Sequence, residues 1–168
     1  MYGFDVWSKR MSLQKISRTI DSIYGLAMRL LTRSYASVSY IAAGVLAGIP
    51  PLDLEIHKRG CLQILKKHGV SVFMETHVRL DEFDNFRHVK EYLRWMVLDI
   101  WQCRWESSEL DRMTFAFFPL VPELPRLDFT WRSTQVLTGH GNFRSHLFRI
   151  WKTDEDICRM CDLGESDN

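Results

Sequence analysis

Hydrophobic positions recur at alternating three- and four-residue steps through Leu13, Ile16, Ile20, Ile23, Ala27 and Leu30, the period of one stripe on an α-helix. The spacing predicts a helix from Met11 to Leu31 with that stripe turned to the core. Lys15, Arg18, Ser22, Arg29 and Arg33 sit two residues out of phase, about 200° around a helix of 3.6 residues per turn, so a basic stripe faces nearly the opposite way. Such a face can meet phosphates, and a merely solvated face has the same composition.

Small residues dominate the next stretch, VSYIAAGVLAG, which predicts a short helix capped by Ser37 or Ser39 and ending at Ile49, ahead of Pro50 and Pro51. A third helix is expected with Asp53 as its cap, Ile56, Leu62 and Leu65 inward, Lys58, Arg59, Lys66 and Lys67 outward, and Gly69 as its stop. The string VSVFMETHVRL alternates too briefly to separate a strand from a connecting loop. From Asp84 to Trp105, the residues Phe86, Val89, Leu93, Met96, Val97, Ile100 and Trp101 return to helical spacing. Trp95, Trp101 and Trp105 could stack bases, but aromatics at that spacing usually belong to a core. Pro119, Pro122 and Pro125 then force an irregular crossing, and a last helical region from Arg132 to Trp151 is interrupted at TGHGNF. The pattern predicts a mainly α chain of about five helices, divided into a helical region (1–118), a proline-rich linker (119–130) and a C-terminal segment (131–168).

Charge changes this picture more than bulk composition does. The net charge is only +1, yet residues 1–69 carry ten Lys/Arg against four Asp/Glu, and residues 70–168 carry twelve against seventeen. That asymmetry points to a polyanion-facing surface in the first half. A second patch is more sharply drawn. Between Asp128 and Asp154 there is no acidic side chain, so Arg132, Arg144, Arg149 and Lys152, with His140 and His146, stand uncompensated. The longest apolar stretch is too short to cross a bilayer and is broken by prolines, which predicts no membrane partner.

Candidate chemistry is sparse. There is no Gly-Lys-Ser/Thr phosphate loop, no dinucleotide-binding glycine fingerprint, no Gly-x-Ser-x-Gly elbow and no His-Glu-x-x-His string, so hydrolase and nucleotide-binding classes lose their support. Asp81, Glu82 and Asp84 precede a helix and read as dipole complements rather than as magnesium ligands. Four cysteines without a charged-then-apolar leader suit a reducing, intracellular compartment. Cys158 and Cys161 have the two-residue spacing of half a zinc site, and a structural site takes four ligands. His140 and His146 are one conceivable completion; two reduced thiols on a surface turn are the plain alternative.

Three blocks, LTRSYASVSYIAAGVLAGIPPLDL (31–54), WQCRWESSELDRMTF (101–115) and TQVLTGHGNFRSHLFRIWKTDEDICRMC (134–161), together resemble the region after the polymerase core in reverse transcriptases of arthropod non-LTR retrotransposons, in particular the type-1 elements that insert into ribosomal DNA. The third block is the most specific. The second departs from the Gly-Arg-Trp-Thr-like string expected of the family, reading Asp111-Arg112-Met113-Thr114 instead. The resemblance implies a parent polyprotein with RNA-directed DNA polymerase and endonuclease activities, of which no catalytic residues are visible here, and a nuclear location. It also implies that Cys158 and Cys161 open a Cys-Cys-His-Cys zinc knuckle whose later ligands lie beyond Asn168, which makes the chain a fragment. The expected function is nucleic-acid binding, to RNA or DNA of the element or its target. The candidate contacts are Lys15, Arg18, Arg29 and Arg33 in the first helix and Arg132, Arg144, Arg149 and Lys152 in the last region. The alternatives are a helical module that binds protein, such as the polymerase core of its own parent, and a free-standing host protein derived from such an element.

Overall fold

The computed structural model describes residues 14–121 and 128–157. The described chain is mainly α-helical, as the pattern predicted, with one small hairpin. Helices α1 (Gln14–Thr32), α2 (Tyr40–Ala47) and α3 (Leu52–His68) lead into strands β1 (Val70–Phe73) and β2 (Thr76–Arg79). A 3-10 turn at Leu80–Glu82 precedes α4 (Phe86–Glu106), and α5 (Arg112–Phe117), α6 (Trp131–Thr138) and α7 (Arg144–Arg149) complete the chain. The five expected helices become seven among the described residues, because α5 forms in LDRMTFAF and TGHGNF splits the last region into α6 and α7. Pro122, Pro125, Cys158 and Cys161 lie outside the described residues, and with them half of the linker and the predicted knuckle turn.

Helix α1 is rotated from the face its aliphatic spacing predicts. Tyr24, Gly25, Met28 and Thr32 are its buried residues, while Ile23, Leu26, Leu30 and Leu31 are 58%, 59%, 70% and 60% exposed. The physical reason is close backbone approach to α2. A Cβ at Gly25 would sit 2.8 Å from Cβ of Tyr40, and one at Gly44 would overlap the hydroxyl of Tyr24. Tyr24 Oη donates 2.5 Å to the carbonyl of Ile49 just past α2, so a glycine pair and a tyrosine choose the seam.

Two boundaries also move. Helix α2 stops at Ala47, because Gly48 takes φ +64 and returns its N–H to α2 carbonyls; its cap is Ser39, whose Oγ accepts from the N–H of Ala42. Helix α3 begins at Leu52 behind Pro51, and Asp53 is no cap: its carboxylate pairs with Arg104 of α4 at 2.8 Å.

The ambiguous string is an antiparallel hairpin, with Val70 opposite Arg79 and Phe73 opposite Thr76. Phe73 and Val78 are buried against the helices while Val70 and Val72 remain exposed. Helix α4 supplies the deepest layer: Val89, Leu93, Val97, Trp101 and Trp105 follow the predicted spacing and are all buried, each aliphatic side chain worth about 1.5–3 kcal/mol. Trp101 and Trp105 are therefore core, whereas Trp95 is 65% exposed.

Candidate nucleic-acid interface

The acid-free stretch folds as two short helices set against the turn that follows α1. Thr130 and Ser133 form a capping box that starts α6, and Gly139 at φ +66 ends it. Helix α6 is tied down by Thr134, whose Oγ1 donates to the carbonyl of Thr32 at 2.6 Å inside the protein, and by Trp131 against the ring of Tyr35 at 5.8 Å. Thr114 of α5 donates to the carbonyl of Leu137 at 3.1 Å.

His140 follows directly. Its Nδ1 lies 2.9 Å from Oγ of Ser37, its Nε2 lies 3.5 Å from Oδ1 of Asp111, and its ring lies 4.7 Å from that of His146, tilted by 32°. Burial holds both imidazoles below the usual histidine range. At His140 the carboxylate of Asp111 opposes that shift, and His146 and Arg149 add to it. At His146, Arg149 and then Lys152 add to it. The predicted cation Arg149 thus acts on both histidines, and Lys152 on His146. Arg132, Arg149 and Lys152 are exposed and Arg144 is half-buried.

The basic residues of α1 are placed differently. Lys15 and Arg18 are exposed along a shallow groove with Thr19 and Ser22. Arg29 is half-buried and donates to the carbonyl of Val38 at 3.3 Å. Arg33 is exposed just past the helix end at φ +54.

As zinc ligands, the two histidines fit unequally. Nδ1 of His146 is buried without a partner, a free donor atom, while each ring nitrogen of His140 already faces a neighbour. Among the described residues no group of three or more His, Cys, Asp or Glu side chains is arranged to hold a metal. A cleft of about 1010 Å³ between α3, the hairpin and α4 is lined by His57, Cys61, Glu75, Asp99 and Arg104 among others, and by none of the predicted cations. No described helix is long and apolar enough to cross a membrane.

Sequence comparison places the chain. It is 29% identical over 99% of its length to the retrovirus-related Pol polyprotein from type-1 retrotransposable element R1 of Bradysia coprophila. It is 32% identical over 90% of its length to that from element R1 4 of Nasonia vitripennis. It is 28% identical over 98% to a putative 115 kDa protein in element R1DM of Drosophila melanogaster. The chain belongs with the R1 retrotransposon Pol polyproteins. It spans only 17%, 39% and 17% of the lengths of these three relatives. No family model and no solved structure matches it.

Membership in the R1 group bears out the three-block resemblance, and the structure gives a reason for the departing second block. Asp111, where the expected string has Gly, adopts φ +56, the left-handed conformation glycine takes without steric cost. Aspartate tolerates it and adds what glycine lacks, a buried carboxylate beside His140 whose Oδ2 has no partner.

Sequence offered Ser37 only as a possible helix cap and Asp111 only as a departure from the expected string, and neither as a partner of His140, since these partners come from segments 103 and 29 residues away. Trp131, Phe148 and Trp151 were missed as surface groups. The available signal was the string RIWK, an aromatic between cations.

Proposed function

We propose that this segment of an R1-type polyprotein binds nucleic acid, RNA or DNA of the element or its target, and so assists retrotransposition. The observation that carries the reading is the 25-residue acid-free stretch after Asp128, whose cations Arg132, Arg149 and Lys152 reach solvent, the last two in the neighbourhood of the paired histidines His140 and His146. Phosphates would be met there first, with Lys15, Arg18 and Arg33 as a second surface. The Pol polyprotein names of the R1 relatives support a parent polyprotein with polymerase activity; an endonuclease activity and work in the nucleus are part of this proposal. Zinc, held through Cys158 and Cys161 with His146, whose Nδ1 has no partner, as the histidine freer to join them, is part of the same proposal and would stiffen this end of the chain. The test is binding of RNA and DNA at two salt concentrations, with Arg144→Glu and Arg149→Glu combined. Affinity should fall by about 10³-fold or more between about 50 and 200 mM salt if six or more phosphates are neutralised, and further on charge reversal. Unchanged binding after charge reversal would sink the reading.

A second reading, a protein-binding helical module, is favoured by one observation: the exposed apolar face of α1 formed by Ile23, Leu26, Leu30 and Leu31. Its affinity for a partner such as the polymerase core of the parent would be nearly indifferent to salt.

A further inference from the structure

Trp151 is the second residue past α7, directly after the C-cap Ile150, and the backbone of this turn is held by three bonds. The N–H of Ile150 donates to the carbonyl of His146 at 3.1 Å, that of Trp151 to Phe148 at 3.0 Å, and that of Lys152 to Leu147 at 2.8 Å. This is the helix stop that glycine usually occupies, because the residue must take a left-handed φ, here +58. A side chain with a Cβ makes that conformation cost about 1 kcal/mol or more. The chain nonetheless carries its bulkiest residue type at this position, and 94% of that residue is exposed. Burial therefore does not offset the strain, and a purely structural role gives no account of the indole. Strain of this kind, held in place by the surrounding hydrogen bonds, is a signature of a functional position.

We propose that Trp151 is a stacking platform for one unpaired base of single-stranded nucleic acid, with Arg149 and Lys152 taking the phosphates beside that base. This rests on the nucleic-acid reading above and adds to it the strandedness of the ligand and the residue that reads it. An exposed flat ring flanked by cations matches an exposed base flanked by phosphates. A base inside a duplex has both faces covered by its neighbours and cannot offer one to the ring without unstacking. Phe148 and Ile150, 47% and 40% exposed on the same turn, give the sugar an apolar surface to lie on. The acidic run Asp154, Glu155 and Asp156, all exposed, repels phosphate and so confines the strand to the side of Arg149 and Lys152.

The experiment is equilibrium binding of a single-stranded RNA of about 12 nucleotides, and of the same sequence as a duplex, across a salt series. The proteins are the full chain, Trp151→Gly and Trp151→Phe. The glycine variant removes the ring while relieving the left-handed strain, so loss of binding is not loss of fold. Expected is a fall of about 5- to 100-fold for the single strand with Trp151→Gly, partial retention with Trp151→Phe, an unchanged salt slope and a duplex affinity within about twofold of the parent chain. If the parent chain binds with a salt slope but Trp151→Gly holds the single strand equally well, or loses strand and duplex alike, stacking is overturned while the phosphate reading stands. If the parent chain shows no salt-dependent binding to either ligand, both are overturned.

Discussion

Ser37 Oγ and His140 Nδ1 meet at 2.9 Å across 103 residues of chain, joining the turn after α1 to the loop between α6 and α7. A carboxylate only accepts, so Nε2 facing Asp111 favours the tautomer with its proton there, in which Nδ1 of the neutral imidazole accepts from the Ser37 hydroxyl. Because burial holds His140, His146 and His57 below the usual histidine range in the folded chain, folding favours their neutral forms. Their contribution is complete above the unfolded value of about 6.5 and is lost as pH falls below it, since the unfolded chain then takes up protons that the folded one refuses until its own lower pKa is reached. Urea midpoints should therefore drop between about pH 7.5 and 5.5, and His140→Gln should shallow that drop. An equal pH dependence in the variant would show that His140 is not among the groups responsible.

Asp111 allows a second test of the same cluster. Its carboxylate raises the pKa of His140 against the effect of burial, so Asp111→Gly should lower that pKa further, which proton NMR of the ring would follow. Glycine also frees the φ +56 position, worth up to about 1 kcal/mol of stability. The variant should gain stability near pH 8, where His140 is neutral in both states, and gain less near pH 5.5. A loss of stability at both values would mean that the Asp111 side chain is a net structural contact.

The helical periods of α4 were fully legible, because Val89, Leu93, Val97 and Trp101 are both the apolar residues and the buried ones. In α1 the two sets separate. Aliphatic residues occupy a face that solvent reaches, while the buried face runs through Tyr24, Gly25, Met28 and Thr32, a set that hydropathy ranks low because it counts neither a glycine's permission for close approach nor a threonine bonded to its own helix. The hairpin escaped reading for a related reason. Its two-residue turn is Met74-Glu75 with Met74 at φ +54, and neither residue is the Asn or Gly that would have marked it. Of the candidate site, the cations were legible as an acid-free run, but Ser37, Asp111 and the exposure of Trp151 depend on contacts between distant segments.

The orientation of α1 is itself a prediction. Met28→Ala should cost about 2–5 kcal/mol, since Met28 is 6% exposed in the core. Leu30→Ala should change stability by no more than about 0.5 kcal/mol, although the aliphatic period ranks Leu30 as a core position. Comparable losses from the two substitutions would return the helix to the face its spacing suggested.

Among the contacts that dock α6 is one short buried bond, from Thr134 Oγ1 to the carbonyl of Thr32. Thr134→Val keeps the shape and removes the donor, leaving that carbonyl dry and unpaired, at a cost of about 1–3 kcal/mol. Thr134→Ser retains the hydroxyl and should cost less. If valine is tolerated as well as serine, the carbonyl is reached by water and the contact is not a buried one.

Gly44 and Tyr24 offer a pair in which helix propensity and packing oppose each other. Alanine is the better helix former by about 1 kcal/mol, yet a Cβ at Gly44 would overlap Tyr24 Oη and lie 2.9 Å from its Cζ. The ring is 4% exposed and its hydroxyl is committed to Ile49, so it has little room to yield. Gly44→Ala should therefore destabilise by about 1–3 kcal/mol despite the propensity gain. Tyr24→Phe alone should cost about 1 kcal/mol for the lost hydrogen bond. In the double variant the overlap with the hydroxyl is gone and only the ring-edge contact remains, so its loss should be smaller than the sum of the two by at least about 0.5 kcal/mol. Strict additivity, measured by urea denaturation, would mean that the hydroxyl of Tyr24 is not what requires glycine at position 44.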